Sequence, residues 1–159
     1  MALSAAERAF VLGGVSASVA ACDRRGRSSL VRVLGVQVSA DGERLRLVVD
    51  RAQAVDLLPM VAESGRLAAV FSDPPSHRTL QFKARDARVV AVEAADRAAC
   101  LQQEAAFAAT LGALGWPGAF ATALIGAAGR ELAVLEACPV AAYRQTPGPG
   151  AGEPLASQP

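Results

Sequence analysis

His77 is the chain's one imidazole, so a Ser–His or Cys–His nucleophilic pair would have to run through it. It closes the loop Asp73-Pro74-Pro75-Ser76-His77, where a histidine serves as readily as a solvated turn residue as it does as a catalyst. By the same logic His77 is the side chain that would ligate a haem through an imidazole. Cys22, Cys100 and Cys138 are odd in number, widely separated and without a Cys-x-x-Cys pair. They read as reduced, buried small hydrophobes rather than as a disulfide or zinc framework. No GxGxxG after a strand, no GxxxxGK[ST], no HExxH and no GxSxG is present. With so few reactive side chains, chemistry on this chain would be that of a borrowed cofactor.

Arginine placement says more. Arg32 lies within Leu30-Val31-Arg32-Val33-Leu34, and alternation places it on one face with Leu30, Leu34, Val36 and Val38. An Arg on an apolar face needs an anion. The carboxylate of Asp50 or Asp56 would serve structurally, and a bound phosphate would serve functionally, because the guanidinium offers a planar fork of donors to either. Arg51 follows Asp50, which with Gln53 three residues on makes a helix-start pattern. Free N–H groups and the helix dipole there favour an anion, so a phosphate bridging Arg32 and Arg51 is sterically sensible, with plain solvent exposure as the alternative for Arg51. In His77-Arg78-Thr79-Leu80-Gln81-Phe82-Lys83, the polar Thr79, Gln81 and Lys83 alternate with Leu80 and Phe82. That row is either solvent-facing sheet or a set of hydrogen-bonding groups for the rim of a flat heterocycle.

These residues need a frame, and the rest of the sequence supplies one. In 159 residues, 52% are hydrophobic and 16 Lys+Arg face 15 Asp+Glu, the profile of one globular domain, taken as 1–145. A net charge of +1 leaves no basic footprint for nucleic acid. Apolar runs such as 31–38 and 132–135 are interrupted or far too short to cross a bilayer. The first residues carry an acid and lack a signal-peptide pattern, which gives the expectation of a cytoplasmic protein. Ser4 and Glu7 form a capping-box pattern ahead of a short helix stopped by Gly13-Gly14. Period-two alternation then predicts three antiparallel strands across 15–49, with turns at 23–26 and Asp41-Gly42. A helix is expected from Asp50 until Pro59 kinks or ends it, then a strand over 66–71 and strands over 78–84 and 88–93, which could be one long bent strand. Asp96 is expected to cap an alanine-rich helix to about Leu111, followed by a short helix over 119–125 and a last strand over 131–137 that could run on to Tyr143. The Pro/Gly-rich stretch 146–159 reads as a mobile tail. The sum is a mainly β (α+β) antiparallel barrel with short inserted and C-terminal helices.

This order of parts, with Arg32 in the second strand and the segment GRLAAVFSDPPSHRTLQFKA, resembles the pyridoxamine 5'-phosphate oxidase-like family of flavin-binding split barrels. The resemblance implies a six-stranded antiparallel split barrel that forms a homodimer with FMN in a groove between subunits. It implies an FMN-dependent oxidoreductase acting on a small-molecule substrate, or a non-enzymatic flavin- or haem-binding sensor of the same fold. Carried over by position, Arg32 would hold the FMN phosphate, with Arg51 and Gln53 at the helix start. Val48 and Val49 would lie along the isoalloxazine through their backbones, with His77, Thr79 and Gln81 on the following strand. Tyr143 and Gln145 would form a flap over the groove. The chain departs from the oxidase itself, which has a Lys in the helix-start signature and a second basic residue ending the Arg-bearing strand. Here those regions read Ala52, Gln53, Ala54 and Val36, Gln37, which argues against vitamin B6 oxidation.

Overall fold

The computed structural model describes residues 1–155; the end of the expected tail, 156–159, lies outside the described residues. Its elements are α1 (Ala5–Val11), β1 (Ser16–Cys22), β2 (Ser28–Val38), β3 (Leu45–Asp50), α2 (Leu57–Ser64), β4 (Leu67–Ser72), β5 (Thr79–Ala84), β6 (Arg88–Val90), α3 (Ala94–Ala113), α4 (Gly118–Ile125), β7 (Leu132–Ala137) and β8 (Pro139–Arg144). The antiparallel strands run in the order β6-β7-β3-β2-β1-β4-β5-β8. Long β2 belongs to both halves of this barrel: Ser28 to Arg32 pair with β1, and Val33 to Val38 pair with β3. Between them a bulge shifts the register at Val33 and Gly35. One extra residue there bends the strand and re-aims the side chains that follow.

Alternation fills the interior. Val19, Val33, Leu47, Phe71, Phe82 and Leu135 are fully buried in one cluster, with the Phe71 and Phe82 rings edge-on at 5.9 Å. A second cluster lies on the outer side of β3 and β7, where Leu34, Val48 and Val134 meet Cys100 and Phe107 of α3 and Ile125 of α4. Gly35 permits this approach, since a Cβ there would stand 2.7 Å from the Cys100 backbone nitrogen.

Several expectations need correcting. There are eight strands, not six. β6 is not a continuation of β5, because β5 pairs with β4 and β8 while β6 pairs with β7. At Cys138 the backbone N–H donates to the Asp86 carboxylate (2.9 Å) instead of to a strand, which separates β7 from β8. The chain after Asp50 turns rather than forming a helix: the Asp50 carboxylate accepts from Ala52 N and its carbonyl from Ala54 N. α2 starts at Leu57, so Pro59 sits in its first turn, where a missing N–H costs nothing, and Gly65 at φ +62° ends it. Glu93, not Asp96, is the N-cap of α3; Asp96 is the third helical residue and completes a reciprocal capping box. The Pro/Gly stretch packs as well, doubling back on β8 with Gly152 N donating to Arg144 O (2.7 Å) and Leu155 N to Ala142 O (2.9 Å).

Candidate functional site

The bulge in β2 divides the outer surface. Beyond it, Leu34 and Val48 lie under α3. Before it, the outer face of β2, β1, β4, β5 and β8 is lined by half-buried small and polar side chains. Register aligns them in rows. Arg32 stands opposite Ser18, Ser18 opposite Val70, Val70 opposite Gln81, and Gln81 opposite Tyr143. The neighbouring row runs from Ser16 through Ser72 to Thr79.

Hydrogen bonds tie the rows into one polar strip. Arg32 donates to Ser16 Oγ at 2.8 Å. Thr79 Oγ1 donates to the His77 carbonyl at 3.0 Å, which leaves the Ser72 hydroxyl to donate to Thr79 Oγ1 at 2.9 Å. Gln145 bonds Gln81 through its side chain at 3.3 Å and the Thr79 carbonyl through its backbone at 2.8 Å. Neither acid foreseen as a partner reaches Arg32: Asp50 takes Arg130 at 3.0 Å, and Asp56 makes no side-chain cap bond at the start of α2. Arg32 thus presents a half-buried guanidinium with no carboxylate within 4.0 Å among the described residues. A guanidinium so placed has donors free for a further acceptor. Its face is shared with Leu30 and Leu34 as expected, but not with Val36 and Val38, which the bulge turns toward the interior cluster.

The other expected residues scatter. Arg51 is paired with Glu131 at 2.9 Å, its backbone N–H is taken by the Glu131 carbonyl, and Gln53 is exposed in the turn that replaces the expected helix start. Val48 and Val49 are fully buried, and β3 is paired on both edges, so neither reaches the open face. His77 is exposed on the β4–β5 turn at φ +58°. Tyr143 belongs to β8 and Gln145 pairs just beyond it, so both line the face as sheet rather than covering it as a flap. Sequence reasoning missed Ser16, Ser18 and Ser72. For Ser16 and Ser18 the signal was the alternation of Ser with buried Ala and Val in β1, which sets hydroxyls on the face Arg32 occupies; Ser72 ends β4 by the same alternation with buried Phe71.

A second polar cluster lies under the start of α3. Arg46 grips fully buried Asp96 with two bonds (3.1 and 2.7 Å) and reaches Glu136 at 3.2 Å, while Arg88 bonds Glu136 at 2.6 Å. Gln37 donates to Asp96 through its side-chain amide. Burial pushes the Asp96 carboxyl up, but Arg46, the Glu93 N–H and Gln37 together hold it below the usual carboxylate range. The Arg88 hydrogen bond, aided by Arg46 and opposed by burial, likewise lowers Glu136. These groups are mutually satisfied, which marks them as structural. Burial raises the Cys100 thiol to about 11, too high for a nucleophile at neutral pH. The open face offers a guanidinium, hydroxyls and an amide, groups that bind and orient a ligand.

No family model and no curated protein matches the chain. Among solved structures, HupZ of Group A Streptococcus superposes with a TM-score of 0.55 at 15% identity, covering 94% of this chain and 100% of that one. A candidate pyridoxamine 5'-phosphate oxidase from Lactobacillus delbrueckii superposes with a TM-score of 0.52 at 14% identity, covering 89% and 93%. At these identities the likeness is one of fold, and the fold is that of the pyridoxamine 5'-phosphate oxidase-like split barrels. No described helix is long and apolar enough to cross a membrane.

Proposed function

We propose that the open face binds a flavin nucleotide, FMN, with Arg32 at the phosphate and Thr79 and Gln81 at the ring. The observation that carries this reading is the half-buried Arg32 guanidinium, bonded to Ser16 Oγ and to no carboxylate among the described residues. The donor set fits. Arg32 offers a charged fork, the serines offer hydroxyls, and the Gln81 amide both donates and accepts at a heterocycle edge. A bound flavin supplies two-electron transfer, so the protein would serve as an oxidoreductase on a small molecule. The chain's own part is to hold the phosphate at Arg32 and to orient the ring on the sheet. Arg51 would join only by releasing Glu131. A second copy is the natural cover for this face, because Leu30 and Val140 stand 67% and 54% exposed on it and an open sheet face that wide favours a symmetric partner.

The test is a titration of FMN and of riboflavin, which lacks the phosphate, into wild type and Arg32→Ala. Hydrogen bonds to charged groups contribute about 1.5–3 kcal/mol each, so FMN affinity should fall roughly ten- to a hundredfold while riboflavin affinity holds. Equal losses for both ligands, or an FMN affinity that survives, would remove Arg32 from the phosphate site. Sedimentation at micromolar concentration checks the dimer, and a monomer alone would discard it.

A further inference from the structure

At the far end of the same face, at the Lys83 row, lies a groove of about 500 Å³ lined by Ala20, Ala68 and Ala141. Three cations line it: Arg66, Lys83 and Arg85. Their placement follows from register. Leu67 and Ala84 are paired and buried, and Arg66 and Arg85 follow just beyond these strand ends, both exposed and both lining the groove. Lys83 is exposed on β5 and pairs with Ala68. Like charges gathered in one groove repel one another unless an anion lies between them.

The described residues provide no such anion. None of the groove's lining residues is acidic, and none of the three cations has a carboxylate within 4.0 Å among the described residues. Asp86, next to Arg85, gives its carboxylate to Cys138 N instead. Lys83 rests its ammonium 4.8 Å from the centre of the Tyr143 ring, an electrostatic stopgap that a true anion would outcompete.

We propose that this groove is a second anion site, which takes a small molecule through a phosphoryl group held by Arg66, Arg85 and Lys83, its body lying against the alanines. Arg32 does not line this groove, although Ser28 at the other end of the same strand does, and the site stands whether or not a flavin binds. Arg pairs suit phosphoryl oxygens because each guanidinium donates two parallel bonds.

Tyr143 is the chain's only tyrosine, so its ring signals in a proton NMR spectrum report this groove directly. Inorganic pyrophosphate titrated at constant ionic strength should shift them saturably as Lys83 leaves the ring. Arg66→Gln and Arg85→Gln, both at exposed positions, should each weaken that binding roughly tenfold or more, while Arg32→Ala leaves it unchanged. In the free protein at low salt each Gln variant should melt no lower than wild type, because a repulsion has been removed. Pyrophosphate that saturates while FMN fails to bind supports this site and overturns only the flavin reading. A shift that never saturates, one that sodium chloride alone reproduces, or an affinity untouched by both Gln variants overturns the second site.

Discussion

Over β3 and β7 the outer face is sealed by α3 and α4, and every charge beneath them is matched: Arg46 with Asp96 and Glu136, and Arg88 with Glu136. Over β1, β4 and β5 the side chains are small or polar, and Arg32, Arg66, Lys83 and Arg85 have no carboxylate partner among the described residues. One barrel thus carries two kinds of polar group. Paired charges under a helix fix the fold, and unpaired cations on a bare sheet leave their interaction energy available to a ligand. The difference should be measurable, since substitutions in the first region change stability and those in the second change binding.

The largest effect is expected at Asp96. Asp96→Ala leaves Arg46 part-buried without its main partner, and removing one member of a buried ion pair costs about 3 kcal/mol. Chemical denaturation should show that loss, and a loss under about 0.5 kcal/mol would mean the cluster behaves like a surface pair. Gly35→Ala comes next. Its Cβ would press on the Cys100 backbone, and overpacking of this kind costs about 1–3 kcal/mol. A neutral result would show that α3 is free to shift outward.

Acid provides a third discriminator. The Asp96 and Glu136 carboxyls lie below their ordinary values in the folded state, so the unfolded chain binds protons that the fold excludes. Their stabilisation is complete above the unfolded carboxylate range, about pH 4, and is lost as pH falls through the lower folded values. Melting temperatures of wild type and Arg32→Ala should drop in parallel on acidification, while Asp96→Asn shows a shallower fall. If Asp96→Asn tracks wild type, the cluster is not the source of the acid sensitivity. The smallest change is expected at Ser18: Ser18→Ala should leave stability within about 0.5 kcal/mol, as surface substitutions do. A larger loss would show that the open face also carries structural load.

What the sequence disclosed follows the same division by distance. The meander of β1 to β3 was legible because its evidence is local: alternation within each strand and tight turns at 23–26 and Asp41-Gly42. Arg32 was legible as an arginine wanting an anion, because strand period alone sets its face. Its neighbours Val36 and Val38 were misplaced, since alternation was carried straight through the bulge, although a lone Gly35 inside a strand is the usual sign of one. The separation of β5 from β6 was hidden because β6 is defined by β7, more than forty residues later. Asp96 read as a helix cap since that is all the local pattern offers; its partner Arg46 lies fifty positions earlier. Arg51 read as a phosphate ligand only while a helix was assumed to start beside it, and the turn after Asp50 removes that premise.

The return of the chain past β8 has a consequence for how the molecule behaves in a crowd. β8 is the last strand of the sheet, and an outermost strand with free N–H and C=O groups is a template on which other chains can extend the ladder. Here the bonds from Gly152 to Arg144 and from Leu155 to Ala142, with the bridge between Tyr143 and Pro154, occupy that edge with the chain's own backbone. Pro154 brings no N–H of its own to offer onward. The sheet is thereby closed at its β8 end by the chain itself, and strand addition there is blocked. Removing residues beyond Gln145 should uncover that edge and raise self-association, which light scattering would show.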